Sequence, residues 1–149
     1  MIQIELCNEQ DVLAVDESRL RQAVEFVLRR AGVERAVISL AVIDDPAMHR
    51  LNRRYLDHDE PTDVLSFVLE EGESYVEGEI IASAETAAVT AAKLGWAAES
   101  ELLLYVIHGA LHLVGYDDLD PEARAEMRAQ ERLCLSEFGL TPPWAEEAP

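Results

Sequence analysis

The eleven residues HGALHLVGYDD, His108 to Asp118, set two imidazoles four positions apart, a glycine three further on and a carboxylate three beyond that. A four-residue step on an α-helix turns about 40° and rises one turn, so His108 and His112 project from the same side. Two imidazoles so placed reach one ion at the zinc–nitrogen distance of about 2.0–2.1 Å. A single histidine on an apolar helix is most simply a buried residue with a hydrogen-bond partner. Two in register point to a metal, because desolvating both without a ligand is costly. Gly115 accepts positive φ and lets the chain turn back, bringing Asp118 toward the rings. Asp118 also reads as a turn or helix-capping carboxylate, and Asp117 is the alternative ligand if the turn winds differently. Three protein ligands leave a fourth position open, as in catalytic rather than structural zinc sites. The expectation is one Zn²⁺ per chain on His108, His112 and Asp118. The carboxylate makes other divalent ions such as Mn²⁺ relatively better competitors.

The pattern H-x-x-x-H-x-x-G-x-x-D has the ligand spacing of the metzincin proteases, H-E-x-x-H-x-x-G-x-x-H. Their glutamate takes a proton from the zinc-bound water, and here that position is Gly109. The scaffold of a catalytic metal is present without the peptidase base.

These residues need a helix to carry them. LLLYVIHGALHLV is apolar nearly all round, which predicts a central helix. IQIEL alternates as a short strand, and AVISLAVI, Ala36 to Ile43, reads as a strand covered on both faces. Between them Asp16 and Ser18 offer capping oxygens for a helix ended by Gly32. Asp45 and Pro46 read as N-cap and first residue of a second helix. HDEPTD is a loop, because Pro61 pushes its predecessor out of helical geometry. DVLSFVLE and VEGEIIASA read as strands joined by a turn containing Gly72. AETAAVTAAKLG is a helix closed by Gly95, and Asp120 with Pro121 starts a last helix stopped by Gly139. Four strands and five helices predict an α+β or mixed α/β domain around one small mixed sheet, over residues 1–140, with a loose tail at 141–149.

The chain has 149 residues, 49% of them hydrophobic, which suits one soluble domain. A net charge of −18 repels polyanions at long range, so a nucleic-acid role requires a local basic patch or a recruiting partner. Cys7 and Cys134 form no C-x-x-C and read as two small buried hydrophobes in a reducing cytosol. No secretory signal opens the chain and no apolar stretch is long enough to span a bilayer, so the expected location is the cytoplasm, without membrane contact.

HGALHLVGYDD together with EPTDVLSF, Glu60 to Phe67, resembles the YbeY family of bacterial ribosomal-RNA maturation endoribonucleases, which reads HGxLHLxGYDH and PT[DN]VLSF. The likeness runs from about Val37 to Leu135, and glycine at position 109 belongs to the family's motif. The resemblance implies a zincin-like fold, a bound zinc, and cleavage of single-stranded RNA in small-subunit ribosomal RNA maturation and ribosome quality control. His108 and His112 match the first two ligands. Asp118 stands where the family usually has histidine, and Glu79 where it tends toward aspartate. Leu56 follows Tyr55 where the family commonly has an arginine thought to act on the phosphate. Arg53, Arg54 and His58 are the nearby groups that could substitute, and Thr62 and Asp63 are implied as cleft residues.

The expected activity is therefore a metal-dependent endoribonuclease acting on ribosomal RNA, not DNA. Arg50, Arg53 and Arg54 form the one compact basic cluster and, with His49 and His58, are candidates for phosphate contacts. So few contacts imply recruitment by small-subunit ribosomal proteins or assembly factors. A non-catalytic assembly factor whose metal braces the turn at Gly115, and a zinc peptidase, are the alternatives. Trp96 and Trp144 read as packing anchors. Glu126 and Glu131 read as solvated positions on the last helix, and Ser66 has no G-x-S-x-G context for a nucleophile.

Overall fold

The period-two and period-3.6 stretches fold as alternating strands and helices. In a computed structural model of the chain, residues 1–56 and 63–144 are described, with side chains for all of them except 52–56. The order is β1 (Ile2–Glu9), α1 (Glu17–Arg30), β2 (Arg35–Ile43), α2 (Asp45–Leu56), β3 (Val64–Gly72), β4 (Tyr75–Ser83), α3 (Ala84–Leu94), α4 (Ala98–Leu113) and α5 (Pro121–Glu137). The strands form one mixed sheet in the order β1-β2-β4-β3. β1, β2 and β4 run parallel, and β3 pairs antiparallel with β4 with a bulge between Val68 and Glu70. This is the α+β architecture that the element count predicts. No helix among the described residues is long and apolar enough to cross a membrane.

The local signals act where their chemistry places them. Asp16 accepts from the Arg19 N–H at 3.1 Å, Ser83 from Thr86 at 3.1 Å and Asp120 from Ala123 at 2.8 Å, capping α1, α3 and α5. Three expectations need correction. The second helix is capped by Asp44, which accepts from Ala47 at 2.9 Å, not by Asp45. The Asp45 carboxylate instead accepts from the hydroxyls of Ser83 and Thr86, while its N–H donates to Glu85, so the starts of α2 and α3 are tied together. β2 is not covered on both faces: Ala36, Ile38, Leu40 and Val42 are buried, whereas Val37 and Ser39 are exposed. The helices of the main core lie on one face only, and α2 covers just one end of the other through Ile43, Met48 and Leu65. Cys7 is exposed, because β1 is an edge strand whose alternation turns it outward, and only Cys134 is buried.

α4 is the helix around which the rest is arranged. Twelve of its sixteen residues are buried, and it packs against α1, α3, α5, β3 and β4. Gly109 is where it meets the sheet. A Cβ there would lie 2.7 Å from Ile80 Cγ2 and 3.3 Å from Val64 Cγ2. The missing side chain is thus a packing requirement, since any larger residue would force helix and sheet apart. Alanine gains about 1 kcal/mol over glycine in helix propensity, but overpacking costs about 1–3 kcal/mol. Ile80 is fully buried and branched at Cβ, so it cannot turn aside. Gly109→Ala is expected to lower the urea midpoint of unfolding; an unchanged or raised midpoint would show that β4 yields at no cost.

Candidate metal centre

The end of α4 shapes the site. The Tyr116 N–H donates to the Leu111 carbonyl at 3.0 Å and the Gly115 N–H to that of His112 at 3.1 Å, with Gly115 at φ +105°. These paired bonds make a Schellman ending, in which the residue after the cap must be left-handed. Tyr116 packs onto the core and pins the turn. Asp117 then accepts from the Leu119 N–H at 3.2 Å, which makes it the turn carboxylate and leaves Asp118 facing back toward α4. The predicted ligands are brought together: donor atoms of His108, His112 and Asp118 all lie within 4.8 Å of one another. The two Nε2 atoms are 3.0 Å apart, and Asp118 Oδ2 is 3.7 Å from His108 Nε2. Donors in a tetrahedral zinc site lie roughly 3.3 Å apart. Closing the set requires only a small shift of Asp118, whose side chain is 45% exposed and free to move.

The other ring nitrogens decide whether this set fits a cation. His108 Nδ1 donates to Glu131 Oε2 at 2.7 Å, so its Nε2 carries the lone pair. The Tyr116 N–H is committed to Leu111, so the hydrogen bond between the Tyr116 backbone and His112 runs from the ring to the carbonyl. With each Nε2 turned toward the other, both rings present lone pairs to the same point. At 3.0 Å the two Nε2 atoms can share one proton, and when both rings are neutral their facing lone pairs repel unless a cation shared with the Asp118 carboxylate relieves them. The electrostatics agree. Burial works against a charge on His108, but the hydrogen bond and charge of Glu131, with Asp118 and Asp63 behind it, outweigh burial and raise its pKa. Burial and the neighbouring His108 depress that of His112.

Glu131 is the residue that sequence reasoning placed wrongly. It is 1% exposed, not solvated, and its second oxygen accepts from Arg128 Nη1 at 3.0 Å. Its helical spacing held the signal: with Met127, Cys134 and Leu135 it occupies the buried face of α5, a carboxylate in an apolar stripe. Glu126 is exposed, as expected. Glu101 and Tyr105 precede His108 on the same face of α4 and line a cleft with Asp63, Arg128, Arg132 and Trp144. Trp96 is an anchor as expected, donating Nε1–H to Glu101 at 2.9 Å. Arg53 and Arg54 have no described side chains, and His58 and Thr62 lie outside the described residues. The space beside His108 also bears on the peptidase reading, because position 109 faces Ile80 and Val64 in the core and not the metal ligands.

Comparison with known proteins places this geometry in a family. The family model described as Endoribonuclease YbeY matches residues 5–139. A Rhodopirellula baltica protein named Endoribonuclease YbeY is 39% identical over 137 residues, covering 91% of this chain and 71% of the relative. Relatives with the same name from Pelotomaculum thermopropionicum and Carboxydothermus hydrogenoformans are each 39% identical, over 90% and 91% of this chain and 95% and 97% of their own lengths. A solution structure of a Thermotoga maritima protein superposes with a TM-score of 0.64 at 26% identity, covering 98% of this chain and 91% of that one.

Both ligand rings must be neutral to hold an ion. His108 keeps its proton above the usual 6.5 and His112 loses its own below it, so the metal-free site carries one proton just above pH 6.5. As the pH is lowered, metal affinity is expected to begin falling while still above pH 6.5, where His108 protonates, by about tenfold per pH unit while one proton competes, and more steeply once His112 also protonates. Calorimetry in buffers of different ionisation enthalpy reads the protons released. Binding near pH 6.5 without proton release would contradict the linkage.

Proposed function

The chain belongs to the YbeY endoribonuclease family, and from that membership we propose that it is a metal-dependent, single-strand-specific endoribonuclease of the cytoplasm. Its substrate is small-subunit ribosomal RNA, and its setting is rRNA maturation and ribosome quality control. The observation that carries the metal dependence is the convergence of two imidazole lone pairs and one carboxylate on a single point with an exposed side. A zinc ion held there supplies Lewis acidity to a phosphoryl oxygen and lowers the pKa of a coordinated water. The chain's residues do the remainder. His108, His112 and Asp118 hold the ion, and the exposed Asp118 leaves the approach from solvent open. Arg53, Arg54 and His58 orient the scissile phosphate, standing in for the cation that Leu56 displaces. Arg128 and Arg132 add positive charge along the neighbouring cleft, which Asp63 and Glu101 partly offset.

A second reading, a non-catalytic assembly factor with a structural metal, is favoured by Leu56. A peptidase reading has no such support, because Gly109 supplies no base and packs against Ile80. The parent protein and His112→Ala, purified identically, separate these. We expect the parent to contain about one divalent ion per chain and to cut structured ribosomal RNA, with His112→Ala losing both by at least 100-fold, given the reach of first ligands over affinity. Metal loss with no RNA cleavage to lose would point to the assembly factor. Cleavage of an unstructured protein would point to the peptidase.

With a net charge of −18, affinity for naked RNA should be weak and its salt slope shallow. Contacts to small-subunit ribosomal proteins or assembly factors then supply recruitment. Between 50 and 200 mM salt, binding to isolated RNA is expected to weaken by well under the roughly 10³-fold typical of proteins making many phosphate contacts. A steep dependence would contradict recruitment through protein.

A further inference from the structure

One carboxylate is buried where α5 packs on α4, among Met127, Cys134 and Leu135. Burying an ionised carboxylate is costly unless both oxygens are matched. For Glu131 both are: Oε2 accepts from His108 Nδ1 at 2.7 Å and Oε1 from Arg128 Nη1 at 3.0 Å. The Arg128 guanidinium lies 4.5 Å from the Trp144 ring centroid, with Arg132 at 5.6 Å from the same ring. The cation that matches Glu131 is therefore itself steadied by an aromatic face. The two ligand imidazoles are unequal in consequence. His108 has a carboxylate on its far nitrogen, whereas His112 has a neutral backbone carbonyl. A carboxylate in that place fixes ring plane and tautomer and makes the ligating nitrogen a stronger donor.

Resting on the metal-centre reading above, we propose that Glu131 is a positioning residue of that centre, holding His108 with its Nε2 lone pair on the ion, while Arg128, braced by Trp144, holds Glu131. Glu131 touches neither the ion nor the RNA. Its effect is on how tightly and in what geometry the ion is held. Glutamine at 131 can still accept from Nδ1–H but brings no charge, so Glu131→Gln tests the carboxylate with little change in shape.

The test uses the full chain stripped by a chelator and titrated with Co²⁺, whose visible absorption reads ligand geometry, followed by displacement with Zn²⁺. Glu131→Gln is expected to bind about 10–100-fold more weakly, with a changed absorption band. Leu135→Ala, a cavity one turn further along the same helix that leaves the Glu131 carboxylate in place, should lower the melting temperature yet bind Co²⁺ like the parent. Unchanged affinity and band in Glu131→Gln would overturn the proposal. So would an equal loss of affinity in Leu135→Ala, since that marks a merely structural effect. If Glu131→Gln does not fold, Arg128→Gln replaces it; its side chain is 53% exposed. That variant is expected to bind several-fold more weakly, and unchanged binding there would count against the role. A parent that binds neither ion would instead overturn the metal centre itself, an outcome distinct from any failure confined to the variants.

Discussion

The desolvation of two imidazoles on a buried helix is the constraint from which the rest of the architecture follows. α4 lies between the sheet and three other helices, and in such a place a polar group must be matched or its burial costs folding free energy. His108 and His112 are matched on their far sides by Glu131 and by the backbone at Tyr116, and on their near sides face each other. Two neutral rings facing each other in this way form a receptacle for a cation. The centre thus sits half-buried at the edge of the core, with Asp118 exposed to solvent.

Close packing serves the same end. Gly109 lets α4 approach Ile80 and Val64, which sets the height of the histidine pair relative to the sheet. Gly78 of β4 acts likewise, since a Cβ there would lie 2.8 Å from the Phe67 carbonyl oxygen and 2.9 Å from Leu113 Cδ2. The helix that carries His108 and His112 is therefore keyed into the sheet at Gly109 and at its end. In a metal peptidase the position after the first histidine carries the general base. Here it is turned into the core, so catalysis must draw its proton acceptors from elsewhere.

The acidic surface and the metal centre belong to one economy of charge. Asp63, Asp118 and Glu131 all favour positive charge at His108, while Arg128 neutralises Glu131 from outside. With a net charge of −18, the surface as a whole repels a polyanion. RNA approach then depends on where the cations lie, as with Arg128 and Arg132 along the cleft.

The sequence by itself determined the elements, the caps at Asp16 and Asp120, the α+β class, and the family through two motif blocks. It also pointed to the candidate triad, because helical spacing and a left-handed glycine are local rules that need no distant partner, although the choice of Asp118 over Asp117 waited on the turn. Tertiary structure decided what depended on neighbours far along the chain. Whether β2 was covered on one face or two, whether Cys7 pointed inward, and which of Asp44 and Asp45 capped α2 all turned on elements packed from elsewhere. Glu131 is the clearest case. Periodicity put it on the buried stripe of α5, but only the packing of α5 on α4 brought it to His108, twenty-three residues away in sequence. A side chain's period is written locally, whereas the partner that satisfies its charge is chosen by the fold.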